Sequence, residues 1–324
     1  MAKVGLEGAA RLLAEHYDLS GTITPLTTER DENFCVRSVH GEFVLKVFAP
    51  ETPGPEADML CAVLRHLEAR APDLSVPRLA KSAKGEDYVR VAGGNAEERL
   101  TVLYTFLPGT PLMDVARSEV QARACGELAG RLGLALRDFA HPAMHRRLIW
   151  DLRRVPDLAA IADTLRQVPF ADFVLPFMDR FPRDTAPMLE TMPRQFVHND
   201  LNARNVIVAS DDSQRIAGII DFGDALHTAR VCDVAVGMIG QMASPATAQA
   251  MTQAFLDGYQ SAVELTPEER AILPRLVAAR VVQNVVMTTH YREKNEDSGH
   301  FAAFDDKYFA WRVAFAQSLL SQTA

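Results

Sequence analysis

Only four cysteines occur in 324 residues, at positions 35, 61, 125 and 232, and no two of them form a C-x-x-C pair. This scatter argues against a cysteine-based zinc site and against a disulfide framework, and it suits a reducing compartment. Long apolar runs are missing as well: no stretch reads as the roughly 18 consecutive apolar residues of a membrane span. The start of the chain, MAKVGLEGAARLLAEHYDLS, is amphipathic, carries acids and has no long apolar core. Basic charge is scarce too, with 34 Lys and Arg against 42 Asp and Glu and a net charge of −8. No basic stripe interleaved with aromatics is present, which speaks against nucleic acid as a partner. The expectation is a cytoplasmic protein with neither a nucleic-acid nor a membrane partner, its state as monomer or homodimer left open. Internal repeats and low-complexity segments are also lacking.

What remains is ordinary globular composition, 48% hydrophobic and 23% charged, in a chain long enough for two domains or two lobes. A leading helix is predicted over 7–17, where Ala9, Leu12, Leu13 and Tyr17 share a face. Two strands, 34–39 and 42–48, then flank a tight turn at His40-Gly41. Lys46 lies on one side of the second strand with Val44 and Phe48, while Phe43, Leu45 and Val47 point to the other. Alone, such a lysine reads as an edge gatekeeper or a snorkelling side chain. A helix over 56–71 and strands over 87–91 and 100–106 follow. Leu107-Pro108-Gly109-Thr110-Pro111 breaks the strand pattern, and nearly everything beyond it reads as helix.

The later helices are predicted at 119–139, 232–242, 245–263, 267–291 and about 304–320. The first of these is opened by a Ser118/Gln121 capping box, with Val120, Ala124, Leu128, Leu132, Ala135 and Phe139 as its core stripe. The helix at 245 takes Ser244 as its cap and Pro245 at its first position. Residues 155–195 read as short helical runs punctuated by prolines. The fold class is therefore α+β: a small lobe, residues 1–106, expected to bind nucleotide, a hinge near 104–110, and a larger, mostly helical lobe, residues 107–324, expected to carry catalysis and the acceptor.

The chemistry concentrates in Phe196 to Asp233. Two Val/Ile-rich runs, 206–208 and 216–220, broken by Asp-Asp-Ser, read as a hairpin. Asp200 and Asn205 precede the first run and Asp221 ends the second, so the three gather at one end of a small sheet. A carboxylate to orient a hydroxyl, with an amide and a second carboxylate to hold magnesium, is what phosphoryl transfer from a nucleoside triphosphate requires. Lys46 upstream and a helix acid after it complete the chain order of kinase-type phosphotransfer. His198 is expected to bond backbone near Asp221 and fix the loop, and Asp233 to cap a helix or tether that loop. Asp224 and His227 are in position to face an acceptor. No G-x-G-x-x-G precedes the first strand pair and no A-P-E follows Asp221. Both absences favour a small-molecule kinase over a protein kinase.

HNDLNARNVIV followed by GIIDFGDALHTARVCDVAV resembles the aminoglycoside phosphotransferase/choline kinase superfamily of kinase-like fold, and within it the hydroxylysine kinase branch. Further similarity runs through Phe43 to Val47, Leu107 to Leu112, His141 to Leu152 and Phe255 to Tyr259, and so covers nearly the whole chain. The resemblance implies a protein-kinase-like two-lobed fold, with Asp200 as catalytic base and Asn205 and Asp221 as Mg2+ ligands. It implies Lys46 on the nucleotide phosphates, paired with Glu56 or, by register, Asp58. Tyr104, Phe106 and Leu107 fall in the segment whose backbone would hold the purine of ATP or GTP. Asn202 replaces the lysine that protein-kinase cousins often carry two residues after the base, which shifts charge neutralisation toward the metal and Arg204. The implied acceptor is a small hydroxyl-bearing metabolite, an amino alcohol or a hydroxy amino acid such as hydroxylysine. Arg280, deep in the helix over 267–291, is a candidate carboxylate anchor for it, with a surface or structural arginine as the alternative. An aminoglycoside acceptor is the alternative within the enzyme class. A catalytically inactive nucleotide-binding scaffold is the alternative outside it, and would be marked by loss of the base or a metal ligand; none is lost here.

Overall fold

The computed structural model describes residues 4–26, 31–92, 98–294 and 304–322. The chain falls into two compact units, Met1–Pro108 with His141–Ala143, and Gly109–Ala140 with Met144–Ala324.

The first unit is built on an antiparallel sheet. Its strands are β1 (Thr22–Leu26), β2 (Glu32–Ser38), β3 (Gly41–Val47), β4 (Leu79–Ala80), β5 (Val89–Ala92) and β6 (Glu98–Thr105). The order is β1-β2-β3-β6-β4, with β5 also on β6. Alternation decides the faces: Phe34, Val36, Leu45, Val47 and Leu103 form a core with Ala9, Leu13 and Tyr17 of helix α1 (Gly5–Tyr17). Lys46 has the opposite parity and leaves that core, yet it is only 6% exposed. The β2–β3 turn is tied by Ser38, whose hydroxyl accepts from His40 N and donates to Gly41 O. Gly41 adopts φ 124°, a conformation that requires glycine. Helix α2 (Gly54–Arg70) follows β3 and buries Ala57, Met59, Leu60, Val63, Leu64 and Leu67.

The second unit is mainly helical. Its short strands are β7 (Thr110–Pro111), β8 (Arg194–Val197), β9 (Val206–Val208), β10 (Ile216–Ile219) and β11 (Leu226–Ala229). The expected hairpin is β9 with β10, extended by β7, and a separate pair joins β8 to β11. The helices are α3 (Glu119–Ala135), α4 (Leu158–Ala162), α5 (Ala171–Asp184), α6 (Ala186–Thr191), α7 (Arg230–Gln241), α8 (Ala248–Ala262), α9 (Pro267–Glu293) and α10 (Asp306–Ser321).

Several sequence expectations need correction here. Helix α3 has the Ser118/Gln121 capping box but ends at Ala135. Its buried face is Ala122, Cys125, Gly126, Ala129, Gly130 and Leu132, whereas Val120 is 62% exposed. The reason is close packing: a Cβ on Gly126 would lie 2.0 Å from Phe255 O, and one on Gly258 of α8 would lie 2.0 Å from Arg123 O. Helix α8 begins at Ala248, after a turn in which Thr247 N and Ala248 N both donate to Ser244 O. Helix α5 runs through Pro176 and Pro182, where short runs were expected. Its buried stripe of Phe173, Val174, Phe177, Met178 and Phe181 outweighs the two lost backbone bonds. By length and composition helix α9 would be long and apolar enough to cross a membrane, although arginines interrupt its apolar run, and 78% of its most apolar 18 residues are buried inside the protein. It is a core helix of the second unit.

Candidate functional site

The loop 198–205 joins β8 to β9, and β10 delivers the chain to Asp221. Its geometry starts from His198, which is fully buried. Nε2 of His198 lies 3.0 Å from Ile220 O, and Nδ1 accepts from Asp200 N at 3.2 Å. Those two bonds require the neutral imidazole, and burial lowers its pKa accordingly. Its ring also meets the Phe222 ring edge-on, with centroids 4.8 Å apart. Asn199 adopts a left-handed φ of 65°, and its N–H donates to Asp233 Oδ1 at 2.7 Å. Asp233 lies within the first turn of α7 rather than capping it, and burial pushes its carboxyl up to about 6. The tether reading of Asp233 therefore describes the contact and the cap reading does not.

Asp200 is surrounded by donors. Its Oδ1 accepts from Asn202 Nδ2 at 2.8 Å and from Arg280 Nη2 at 3.4 Å, and its Oδ2 accepts from Asn205 Nδ2 at 2.7 Å. Burial raises its pKa above the ordinary carboxylate value; the Arg280 guanidinium opposes this, and Asp221 adds to the rise. Asn202 in turn accepts from Arg204 N at 2.7 Å, and the Arg204 guanidinium sits 5.8 Å from the centre of the Phe304 ring. Asn205 O accepts from Ile220 N at 2.9 Å, which fixes the loop beside the residue preceding Asp221.

Asp221 is itself left-handed, with φ 64°, and its Oδ1 accepts from Gly223 N at 3.0 Å to start a one-turn helix through Asp224. Because the Asn205 NH2 is directed at Asp200, its carbonyl oxygen is the atom suited to a metal. With the Asp221 carboxylate it makes a set of hard oxygen donors that fits magnesium or calcium. Among the described residues no group of three or more His, Cys, Asp and Glu could hold a metal. Further ligands would have to come from water and from the phosphates themselves.

Arg280 projects from α9 and is 6% exposed. Besides Asp200 it donates to Gln283 Oε1 at 2.8 Å and Trp150 O at 3.3 Å, and it stacks 4.8 Å from the Trp150 ring centre. His227 lies in β11 with its ring 4.7 Å from that of His145; burial and the neighbouring His145 lower its pKa. Three parts of this site escaped the sequence reading. Arg146 donates to Gly223 O and Ala225 O and so braces the turn after Asp221. Gln283, one helical turn from Arg280, fixes the guanidinium, a pairing that i, i+3 spacing could have suggested. Asn199 buries a side-chain amide with no hydrogen-bond partner for either polar atom among the described residues.

In the first unit, Lys46 Nζ is 2.5 Å from Asp31 Oδ2. Asp31 was not among the expected partners. Asp58 instead faces His141, with Oδ2 3.0 Å from Nε2, and Glu56 stands half-buried in the first turn of α2. At the segment 104–107, Phe106 N donates to Glu42 O and Thr105 N to Arg78 O. The residues Thr27 to Arg30, which stand where a glycine-rich loop would lie, fall outside the described residues.

Residues 22–265 match the family described as "Phosphotransferase enzyme family". Hydroxylysine kinase of Mus musculus is 30% identical over 293 residues, covering 83% of this chain and 77% of the relative. Among solved structures, a microcompartment-associated aminopropanol kinase superposes with a TM-score of 0.75 at 20% identity, covering 97% of each chain. An amicoumacin kinase in complex with AMP-PNP and Ca2+ gives a TM-score of 0.71 at 16% identity, over 98% of this chain and 94% of its own.

Proposed function

This chain belongs to the phosphotransferase enzyme family, and from that premise we propose that it is a kinase acting on the hydroxyl of a small amino alcohol or hydroxy amino acid. The donor is a nucleoside triphosphate, ATP or GTP, used with Mg2+. Asp200 accepts the hydrogen bond of the acceptor hydroxyl and aims its oxygen at the γ-phosphorus, in line with the leaving oxygen. Asn205 and Asp221 would hold the metal, which when bound neutralises charge on the phosphate oxygens. Lys46 takes the nucleotide phosphates. The backbone around Tyr104, Phe106 and Leu107 receives the purine, with Leu107 as donor because Phe106 N is engaged by Glu42 O. His198, Asn202 and Arg204 hold the loop in shape, and Asp224 and His227 flank the acceptor.

The observation that carries this reading is the set of three donors on Asp200. A carboxylate whose pKa is raised by burial is kept as an acceptor by Arg280, Asn202 and Asn205. The same cation favours an acceptor with its own carboxylate. Arg280 beside the base offers an acceptor carboxylate a hydrogen-bonding partner that a polycationic aminoglycoside would not use.

A coupled assay over hydroxylysine, other hydroxy amino acids, amino alcohols and aminoglycosides, with ATP and GTP, tests the proposal. Turnover is expected with a carboxylate-bearing acceptor. Asp200→Ala is expected to lose at least about 10²-fold in kcat while nucleotide binding survives. Preference for an aminoglycoside, or full turnover by Asp200→Ala, would contradict it.

A further inference from the structure

Lys46 would be the least comfortable residue of β3 without a counter-charge, since an ammonium with 8% of its side chain exposed pays heavily for desolvation. Its neighbour Asp31 is itself immobilised. Oδ1 of Asp31 accepts from Ala49 N at 2.9 Å while Oδ2 faces Lys46 Nζ at 2.5 Å, so the carboxylate bridges the ammonium and the backbone just past β3. The next residue repeats the arrangement. Glu32 accepts from Val4 N and Gly5 N at the start of α1 and from Arg99 Nη1 at 2.5 Å, and Arg99 Nε donates to Phe48 O at 2.9 Å. Two consecutive acids thus fasten Phe48 and Ala49 from both sides, and with them the stem of Lys46, whose ammonium also lies 5.3 Å from the Phe48 ring centre.

We propose that Asp31 is a positioning residue for phosphoryl transfer: it holds the Lys46 ammonium charged and in a single orientation for the nucleotide phosphates. This rests on the kinase reading given above. An ammonium has three N–H donors, so carboxylate and phosphate oxygens can share it without competing for one hydrogen. Pre-ordering matters for a side chain with four rotatable bonds, because orientation fixed before binding is not lost from affinity. The role falls to an acid fifteen residues before the lysine, at the entry to β2.

The test measures the Kd of Mg-AMP-PNP directly, together with kcat, the KM of each substrate and Tm, for wild type, Asp31→Asn, Lys46→Met and the double variant. Asp31→Asn is expected to weaken nucleotide affinity roughly ten-fold, the usual size of a lost charge-assisted bond, with acceptor KM unchanged. In the Lys46→Met background the same substitution should cost nothing further, since its effect runs through the ammonium. Should Asp31→Asn fail to fold, Asp31→Glu, which keeps the charge and moves it by one methylene, carries the same comparison. Unchanged or tighter nucleotide binding in a folded Asp31 variant, or an equal loss in the Lys46→Met background, overturns the proposal alone. A wild-type protein that binds no nucleotide removes the kinase reading along with it.

Discussion

At the scale of single residues, the proposed chemistry turns on how Asp200 is kept ionised. Burial raises its pKa and Arg280 opposes the rise. In the proposed role the carboxylate is the working form, so activity should fall as pH drops through that raised pKa, above the pH at which an ordinary aspartate would titrate. Arg280→Gln takes away the opposing charge. The acid limb of kcat/KM should therefore move to higher pH, and kcat/KM on its plateau should fall about 10- to 100-fold, the value of a charged hydrogen bond. A limb that stays in place or moves to lower pH would mean that Arg280 does not set the state of Asp200. The identities of Asp200, Asn205 and Asp221 as a cluster were readable because their spacing brackets two apolar runs. The Asp31 contact was not, since an acid before a strand looks like any turn residue until the strands pair and bring it to Lys46. Arg146 was hidden for a related reason: it meets main-chain oxygens 77 and 79 residues away, and such oxygens leave no mark in a sequence.

Among elements, the seam between α3 and α8 shows where pattern reading fails. An apolar stripe is sought by size, so Val120 and Leu128 drew attention; Leu132 is buried as expected, but the rest of the buried face is made largely of the small residues Ala122, Cys125, Gly126, Ala129 and Gly130. Backbones approach there so closely that Gly126→Ala would set a methyl 2.0 Å from Phe255 O, and the helices must separate to admit it. The expected loss is about 1–3 kcal/mol or more in denaturant unfolding. Gly133→Ala is the contrast. Its Cβ would meet neighbours at 3.5 and 3.7 Å, ordinary contact, and the variant should gain up to about 1 kcal/mol from helix propensity. If both substitutions shift stability alike, close packing is not what the glycines serve. The β8–β11 pair was missed on other grounds: its strands are four residues long, too short to display alternation, and their partners lie about thirty residues apart. The β9–β10 hairpin was legible because its two runs are short, apolar and rich in Val and Ile and are separated by a turn sequence.

At the scale of the molecule, nucleotide and metal should act on stability together. A ligand that binds only the folded chain adds about 2.7 kcal/mol when present at a hundred times its Kd. Mg-AMP-PNP should therefore raise Tm in wild type, and Asp221→Ala should lose most of the increment that depends on Mg2+. An equal Mg2+-dependent shift in the variant would count against Asp221 as a ligand. The thiols offer a second measure at this scale. Cys35 and Cys61 lie in the first unit, Cys125 and Cys232 in the second, and all four are free and buried. Burial pushes Cys61 and Cys125 up to about 12, and raises Cys232 as well. Since the thiolate is the reactive form, an alkylating reagent has to wait for the surrounding structure to open. The chain thus carries its own stopwatches, two in each unit. Their labelling rates, with and without nucleotide, would report which half breathes and which half a ligand quiets.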